Sequence, residues 1–194
     1  MKAEPLGVVK LGGSLLDMPG VWTKLRKWLD ALQEPHLLVV GGGAIVEAIR
    51  QVVSLHQLDS ELAHNLALKG MELNGLVAKA MLQRSEIVYA FSDCRRAYCD
   101  GLTAILDPFW FLATLDNQAA PLPHSWDVTS DSIAARVARE FKAIRLYLLK
   151  SRSAPHSRTW EDFAAEGIVD KWFPNEARAL PATEIVLINF RELP

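Results

Sequence analysis

Lys10 closes the apolar run Val8-Val9-Lys10-Leu11 and is followed at once by Gly12-Gly13-Ser14. A second apolar run ends in Gly41-Gly42-Gly43, and a helical pattern follows each glycine turn. Strand, glycines and helix together present backbone N–H groups to an anion. Glycine lets the backbone approach closely, and the helix start adds a partial positive charge. Two such turns one unit apart suit two anionic groups bound side by side, with Lys10 between them. That arrangement would suit phosphoryl transfer. The plainer alternative is a pair of ordinary strand-to-helix turns, and the lysine argues against it.

A third signal lies in Ser125-Trp126-Asp127-Val128-Thr129-Ser130-Asp131-Ser132, a polar stretch that runs into a helix. Ser130 is the expected N-cap. Asp131 then falls in the first turn, where a carboxylate gains ~0.3–1 kcal/mol from the helix dipole. A capping role and a catalytic role for Asp131 both stand at this point. Asp127 and Asp131, if both reach Lys10, would hold lysines in position or anchor Mg2+ together with substrate phosphates.

The elements that must carry these residues alternate regularly. Short apolar runs at Gly7–Leu11, Leu37–Val40, Ile87–Ala90, Thr103–Leu106, Ile144–Leu149 and Glu184–Ile188 read as strands. Most are apolar throughout, as strands covered on both faces are. Val21, Leu25, Trp28, Leu29 and Leu32 share one helical face, as do Ile45, Ile49 and Val52. Ser60–Leu82 reads as a long helix with a break expected near Gly70 or Gly75. Its Leu62, Leu66, Leu73 and Leu76 suit a lid or a dimer-facing surface equally. Alternation of this kind implies an α/β fold with a mostly parallel, doubly wound sheet.

The bulk numbers narrow the function. A chain of 194 residues fits one domain, with 50% hydrophobic and 23% charged residues. A net charge of −2 gives no reason to expect nucleic acid or an anionic membrane as a partner. No apolar run approaches the ~20 residues of a membrane span, and no signal sequence is evident. Cys94 and Cys99 have no histidine pair nearby and read as free thiols. A cytoplasmic protein is the expectation.

The combination of Lys10-Leu11-Gly12-Gly13-Ser14, Gly41-Gly42-Gly43 and the aspartate-bearing loop before a later helix resembles the amino acid kinase family. The resemblance covers about residues 7–150. It implies a three-layer αβα sandwich and transfer of the γ-phosphoryl group of ATP, with Mg2+, to a small phosphate or carboxylate acceptor. By the same resemblance Lys10 contacts the transferring group and Asp131 orients the catalytic lysines. Gly12, Gly13, Ser14 and Lys150 would bind ATP phosphates, while Gly41, Gly42 and Gly43 would face the acceptor. Residues 1–140 would form the acceptor part and 141–194 a shortened nucleotide part. A homodimer or higher homo-oligomer is implied as well.

Within the family, the small size, Pro123-His124-Ser125-Trp126-Asp127 and Leu148-Leu149-Lys150-Ser151 are similar to the branch of small kinases of methanofuran biosynthesis. Members of that branch convert the phosphomonoester of an aminomethylfuran alcohol to a diphosphate. In that reading His124, Trp126, Asp127 and Ser130 lie on the acceptor, with Trp126 or His124 against the ring or its amine. Larger family members carry a Gly-Gly-Met-type loop with a second catalytic lysine, and that pattern has no counterpart here. Lys171 stands in the same region, as a second catalytic lysine or as a surface one. The stretch Ser151–Arg158 is either a phosphate-contacting loop or a solvated one. Kinases of amino acids, UMP or isoprenoid phosphates, and a non-catalytic binder of a phosphorylated metabolite, are the alternatives.

Overall fold

A computed structural model describes residues 6–115, 121–153 and 158–193. Much of the loop Asp116–Trp126 and the middle of the Ser151–Arg158 stretch lie outside the described residues. Six strands form one sheet: β1 (Gly7–Leu11), β2 (His36–Val40), β3 (Ser85–Val88), β4 (Thr103–Leu106), β5 (Arg145–Lys150) and β6 (Glu184–Asn189). Their order is β3-β4-β2-β1-β5-β6 and every pairing is parallel. The helices are α1 (Val21–Asp30), α2 (Gly43–His56), α3 (Ser60–Met81), α4 (Phe91–Cys99), α5 (Pro108–Leu115), α6 (Ser130–Glu140), α7 (Trp160–Ala165) and α8 (Phe173–Arg178).

Side chains alternate across a strand, so the mainly apolar β1 and β2 feed two cores at once. Val8, Leu37 and Val39 join a core with residues of α4, α5, α6, α7 and α8. Val9, Leu11, Leu38 and Val40 face the other way, against Val21, Leu25 and Leu29 of α1 and against Phe190. Each fully buried side chain of this kind contributes roughly 1.5–3 kcal/mol by leaving water. The result is the expected α/β architecture, a parallel sheet with helices on both faces.

The helices differ from expectation in instructive places. Helix α3 runs unbroken through Gly70 and Gly75. Gly70 is a contact, not a break: a Cβ there would come within 2.8 Å of Val46 and 2.9 Å of Ile49. Its missing side chain lets α2 lie close against α3. Helix α2 is turned by about one residue from the expected face, burying Val53 and leaving Val52 49% exposed. Cys94 is buried and Cys99 exposed, both as free thiols. Among the described residues no helix is long and apolar enough to cross a membrane.

Chain order reverses between β1 and β5, since β1 leads toward β2 and β5 leads toward β6 on the opposite side. Open parallel sheets bind ligands at the carboxyl ends of the strands flanking such a reversal. Lys10 stands near the end of β1 and Lys150 is the last residue of β5.

Candidate active site

Helix α6 begins above that reversal and directs Asp131 down into it. The Asp131 carboxylate accepts from Lys150 Nζ at 2.7 Å and 2.6 Å, one contact to each oxygen. Lys10 Nζ lies 2.8 Å from Asp131 Oδ1. All three residues are buried. The backbone N–H of Asp170 donates to Asp131 Oδ2 at 3.3 Å. Burial alone would raise the Asp131 carboxyl, but the ammonium groups of Lys10 and Lys150 outweigh it and bring it down to about 2. Burial, followed by repulsion from Lys10, lowers Lys150 to about 8, against the pull of Asp131 and Asp170. The three groups in contact carry one net positive charge.

The two glycine turns pack backbone on backbone beside this centre. A Cβ on Gly13 would lie 2.3 Å from the Gly43 nitrogen, and Gly43 itself has φ +49°. No other residue type fits either position without strain. Gly12 donates its N–H to the Leu149 carbonyl at 2.9 Å, and Gly41 donates to the Leu11 carbonyl at 2.9 Å. These bonds tie both turns to the strand ends. Asn74 of α3 donates to the carbonyls of Gly41 (2.9 Å) and Gly42 (2.7 Å). The start of α2 has no side-chain cap, and the first amides of a helix have no intrahelical acceptor. Ser14 faces the β5 side, its hydroxyl 2.9 Å from that of Ser151.

A cleft of about 250 Å³ opens from Lys10, Gly13, Gly42 and Gly43 toward Arg50, His64, Trp126, Thr129 and Ser130. The Arg50 guanidinium lies 4.1 Å from the centre of the Trp126 ring, so one indole face is already covered by a cation. His124 stacks on His64, with ring centres 4.3 Å apart and planes within 10°. Glu47 pairs with Arg50 at 3.4 Å on the rim.

The sequence-derived residues therefore fall into groups. Lys10, Gly13, Gly42, Gly43, Trp126 and Ser130 share the cleft, and Asp131 joins Lys10 to Lys150 beneath it. Gly12 and Gly41 brace the turns, Ser14 faces Ser151, and His124 reaches the cleft through His64. Asp127 does not join Asp131. It is paired with Lys171 at 3.1 Å, with both side chains more than half exposed. Ser130 is the first residue of α6, not its cap; the N-cap is Thr129, which makes no side-chain cap bond.

Arg50, His64, Glu47 and Asn74 were not legible as site residues. Glu47 and Arg50 stand three residues apart along a helix opened by a glycine turn, a spacing that could have indicated them. Among the described residues no group of three His, Cys, Asp or Glu side chains could hold a metal. Both oxygens of Asp131 are already taken by lysines. These residues do not form a resident Mg2+ site.

The family model described as "Amino acid kinase family" matches residues 6–153. A [5-(aminomethyl)furan-3-yl]methyl phosphate kinase of Methanocaldococcus jannaschii is 28% identical over 133 residues, spanning 68% of this chain and 59% of that protein. The fold is similar to that of UMP kinase from Ureaplasma parvum, with TM-score 0.70 and 16% identity over 98% of this chain and 92% of that one. Uridylate kinase from Archaeoglobus fulgidus gives TM-score 0.65 and 15% identity over 95% and 92% of the two chains. At these identities the solved structures speak to fold alone.

Proposed function

The chain belongs to the amino acid kinase family, and we propose that it transfers the γ-phosphoryl group of ATP to a small phosphomonoester at the Lys10–Asp131–Lys150 centre. The observation that carries this reading is the buried pair of lysines on one carboxylate, beside two glycine turns and an open cleft.

An oxygen of the acceptor phosphate attacks the γ-phosphorus, the bond to the bridging oxygen of ADP breaks, and a diphosphate and ADP leave. A phosphomonoester has its second pKa at about 6 and is already an anion at neutral pH. The nucleophile therefore needs no proton removed. The work left to the protein is positioning and neutralising charge on the equatorial oxygens. Lys10 meets the transferring group, Lys150 meets the ATP phosphates, and Asp131 fixes both ammonium groups. The Gly13 amide and the Ser14 hydroxyl hold ATP phosphates, and the turn Gly41–Gly43 faces the acceptor; the Gly12 amide is spent on the Leu149 carbonyl, so Gly12 shapes the turn instead of binding phosphate. Residues 1–140 form the acceptor part and 141–194 the nucleotide part.

The acceptor that fits best is [5-(aminomethyl)furan-3-yl]methyl phosphate, in a methanofuran-type one-carbon pathway. The similarity to the Methanocaldococcus jannaschii kinase supports it. So does a cleft that joins a phosphate-binding end to Arg50, an indole ring, a histidine pair and the Glu47 carboxylate. Trp126 offers a flat surface for the furan, and Glu47 a counter-charge for its ammonium. Ser130 lines the same cleft and His124 backs it through the His64 stack, whereas Asp127 is paired with Lys171 and does not line it. Helix α3 leaves Leu73, Leu76, Val77 and Met81 between 46% and 53% exposed on one side. A second copy of the chain would cover them, and sedimentation tests that homodimer.

The acceptor is tested by ADP release with Mg2+ and ATP against the furan phosphate, UMP, isopentenyl phosphate and glutamate in parallel. Turnover with the furan phosphate alone is the expected result. Turnover with another acceptor keeps the chemistry and discards the furan assignment.

A further inference from the structure

Asp170 immediately precedes Lys171 in the segment leading to α8. Lys171 points to solvent against Asp127, but Asp170 turns inward. Its Oδ2 accepts from the Thr129 amide at 3.0 Å, the Thr129 hydroxyl at 2.9 Å and the Ser132 amide at 2.9 Å. Its Oδ1 accepts from the Ser132 hydroxyl and from the Phe173 amide at 2.9 Å. One carboxylate thus takes five donors, serving the start of α6 and the start of α8 together. Its own backbone N–H reaches Asp131 Oδ2. The residues between Thr129 and Ser132 include Asp131, so the clasp sets the position from which Asp131 grips both lysines.

We propose that Asp170 is a positioning residue of the phosphoryl-transfer centre, fixing Asp131 between Lys10 and Lys150. This rests on the kinase reading above. Four charged groups meet there, one from each element packed around the site: Lys10 of β1, Lys150 of β5, Asp131 of α6 and Asp170 of the segment before α8. Lys10 repels the Lys150 cation, while Asp131 and Asp170 favour it. Removing the Asp170 charge tips that balance toward neutral Lys150. A clamp with only a structural role would lower stability and leave the protonation of Lys150 where it was.

The test compares wild type with Asp170→Asn in two readouts: the alkaline limb of the pH–rate profile, and the pH dependence of Lys150 acetylation followed by mass spectrometry. The expected result is a shift of both to lower pH by about 1, with kcat falling and the acceptor KM little changed. A lower kcat with both limbs unmoved overturns the proposal. Asp170→Ser, small enough to admit a water among the amide donors, carries the same test if the asparagine variant does not fold. Failure of both to fold would make Asp170 a structural clamp and also overturn it. Absence of turnover in the wild type would refute the kinase reading instead, and Lys150 acetylation would still decide the role of Asp170 toward that lysine.

Discussion

Lys150 Nζ sits 2.6 Å and 2.7 Å from the two oxygens of Asp131, although the residues come from different elements and Lys10 shares the same carboxylate. Asp131 is therefore the carboxylate that touches both buried cations. Its loss leaves two ammonium groups facing each other out of water. Asp131→Asn is expected to destabilise the fold by about 3–5 kcal/mol, as loss of one partner from a buried ion pair does. Urea denaturation measures it.

Lys10→Ala has the opposite signature. It removes one of two cations and leaves Asp131 still paired with Lys150, so the centre goes from one net positive charge to none. Activity should fall at least 100- to 1,000-fold, the usual cost of losing a donor to developing charge. The midpoint of thermal unfolding should move much less than in Asp131→Asn. Parallel rate and melting measurements on the two variants separate the roles.

The pH dependence follows from Lys150, which burial and then Lys10 bring down to about 8. Above that pH the free protein loses a cation the reaction needs, so kcat/KM should fall with an inflection near 8. Bound phosphates favour the cation, so the limb in kcat lies at higher pH. Stability moves the other way. Between about 8 and the ordinary lysine value of 10.5 the unfolded chain still holds the proton that the folded chain has released. The contribution of this group to stability rises with pH across that window. Asp131 adds an acid-side effect: its contribution is complete above 3.8 and is lost as pH falls toward about 2. A pH–rate profile and denaturation series check both signs.

Gly13→Ala should separate the two glycine turns, because the new methyl group would meet the Gly43 nitrogen at 2.3 Å. Both neighbours are backbone and cannot rotate away. A loss of about 1–3 kcal/mol is expected for overpacking at this contact, together with loss of the thermal shift that ATP gives the wild type.

Arg50→Ala should raise the acceptor KM by roughly 10- to 100-fold, the worth of one charge-assisted hydrogen bond, with kcat less affected. Steady-state kinetics with the acceptor varied at saturating ATP reads the split.

The strands were legible because runs such as Leu37–Val40 are apolar from end to end and bounded by turn residues. The third strand was displaced, Ser85–Val88 in place of Ile87–Ala90, because its first residues, Ser85 and Glu86, are polar. Helix α5 is apolar throughout and shows no helical period. Helices α7 and α8 are six residues each and too short to show one. Lys10, Gly13, Gly42, Gly43 and Asp131 could be singled out because each belongs to a local pattern. The grip of Asp131 on Lys150 and the inward turn of Asp170 could not. They join residues 19 and 39 positions apart and exist only once β1, β5 and α6 have met.

The most direct measurement follows labelled γ-phosphate from ATP, with Mg2+, into [5-(aminomethyl)furan-3-yl]methyl phosphate, for wild type and Lys10→Ala side by side. Label in a diphosphate product from the wild type, and none above background from the variant, is the predicted result. Equal transfer by the variant, or no transfer by the wild type to this or any other phosphate or carboxylate acceptor, would contradict a phosphoryl-transfer centre at Lys10, Asp131 and Lys150.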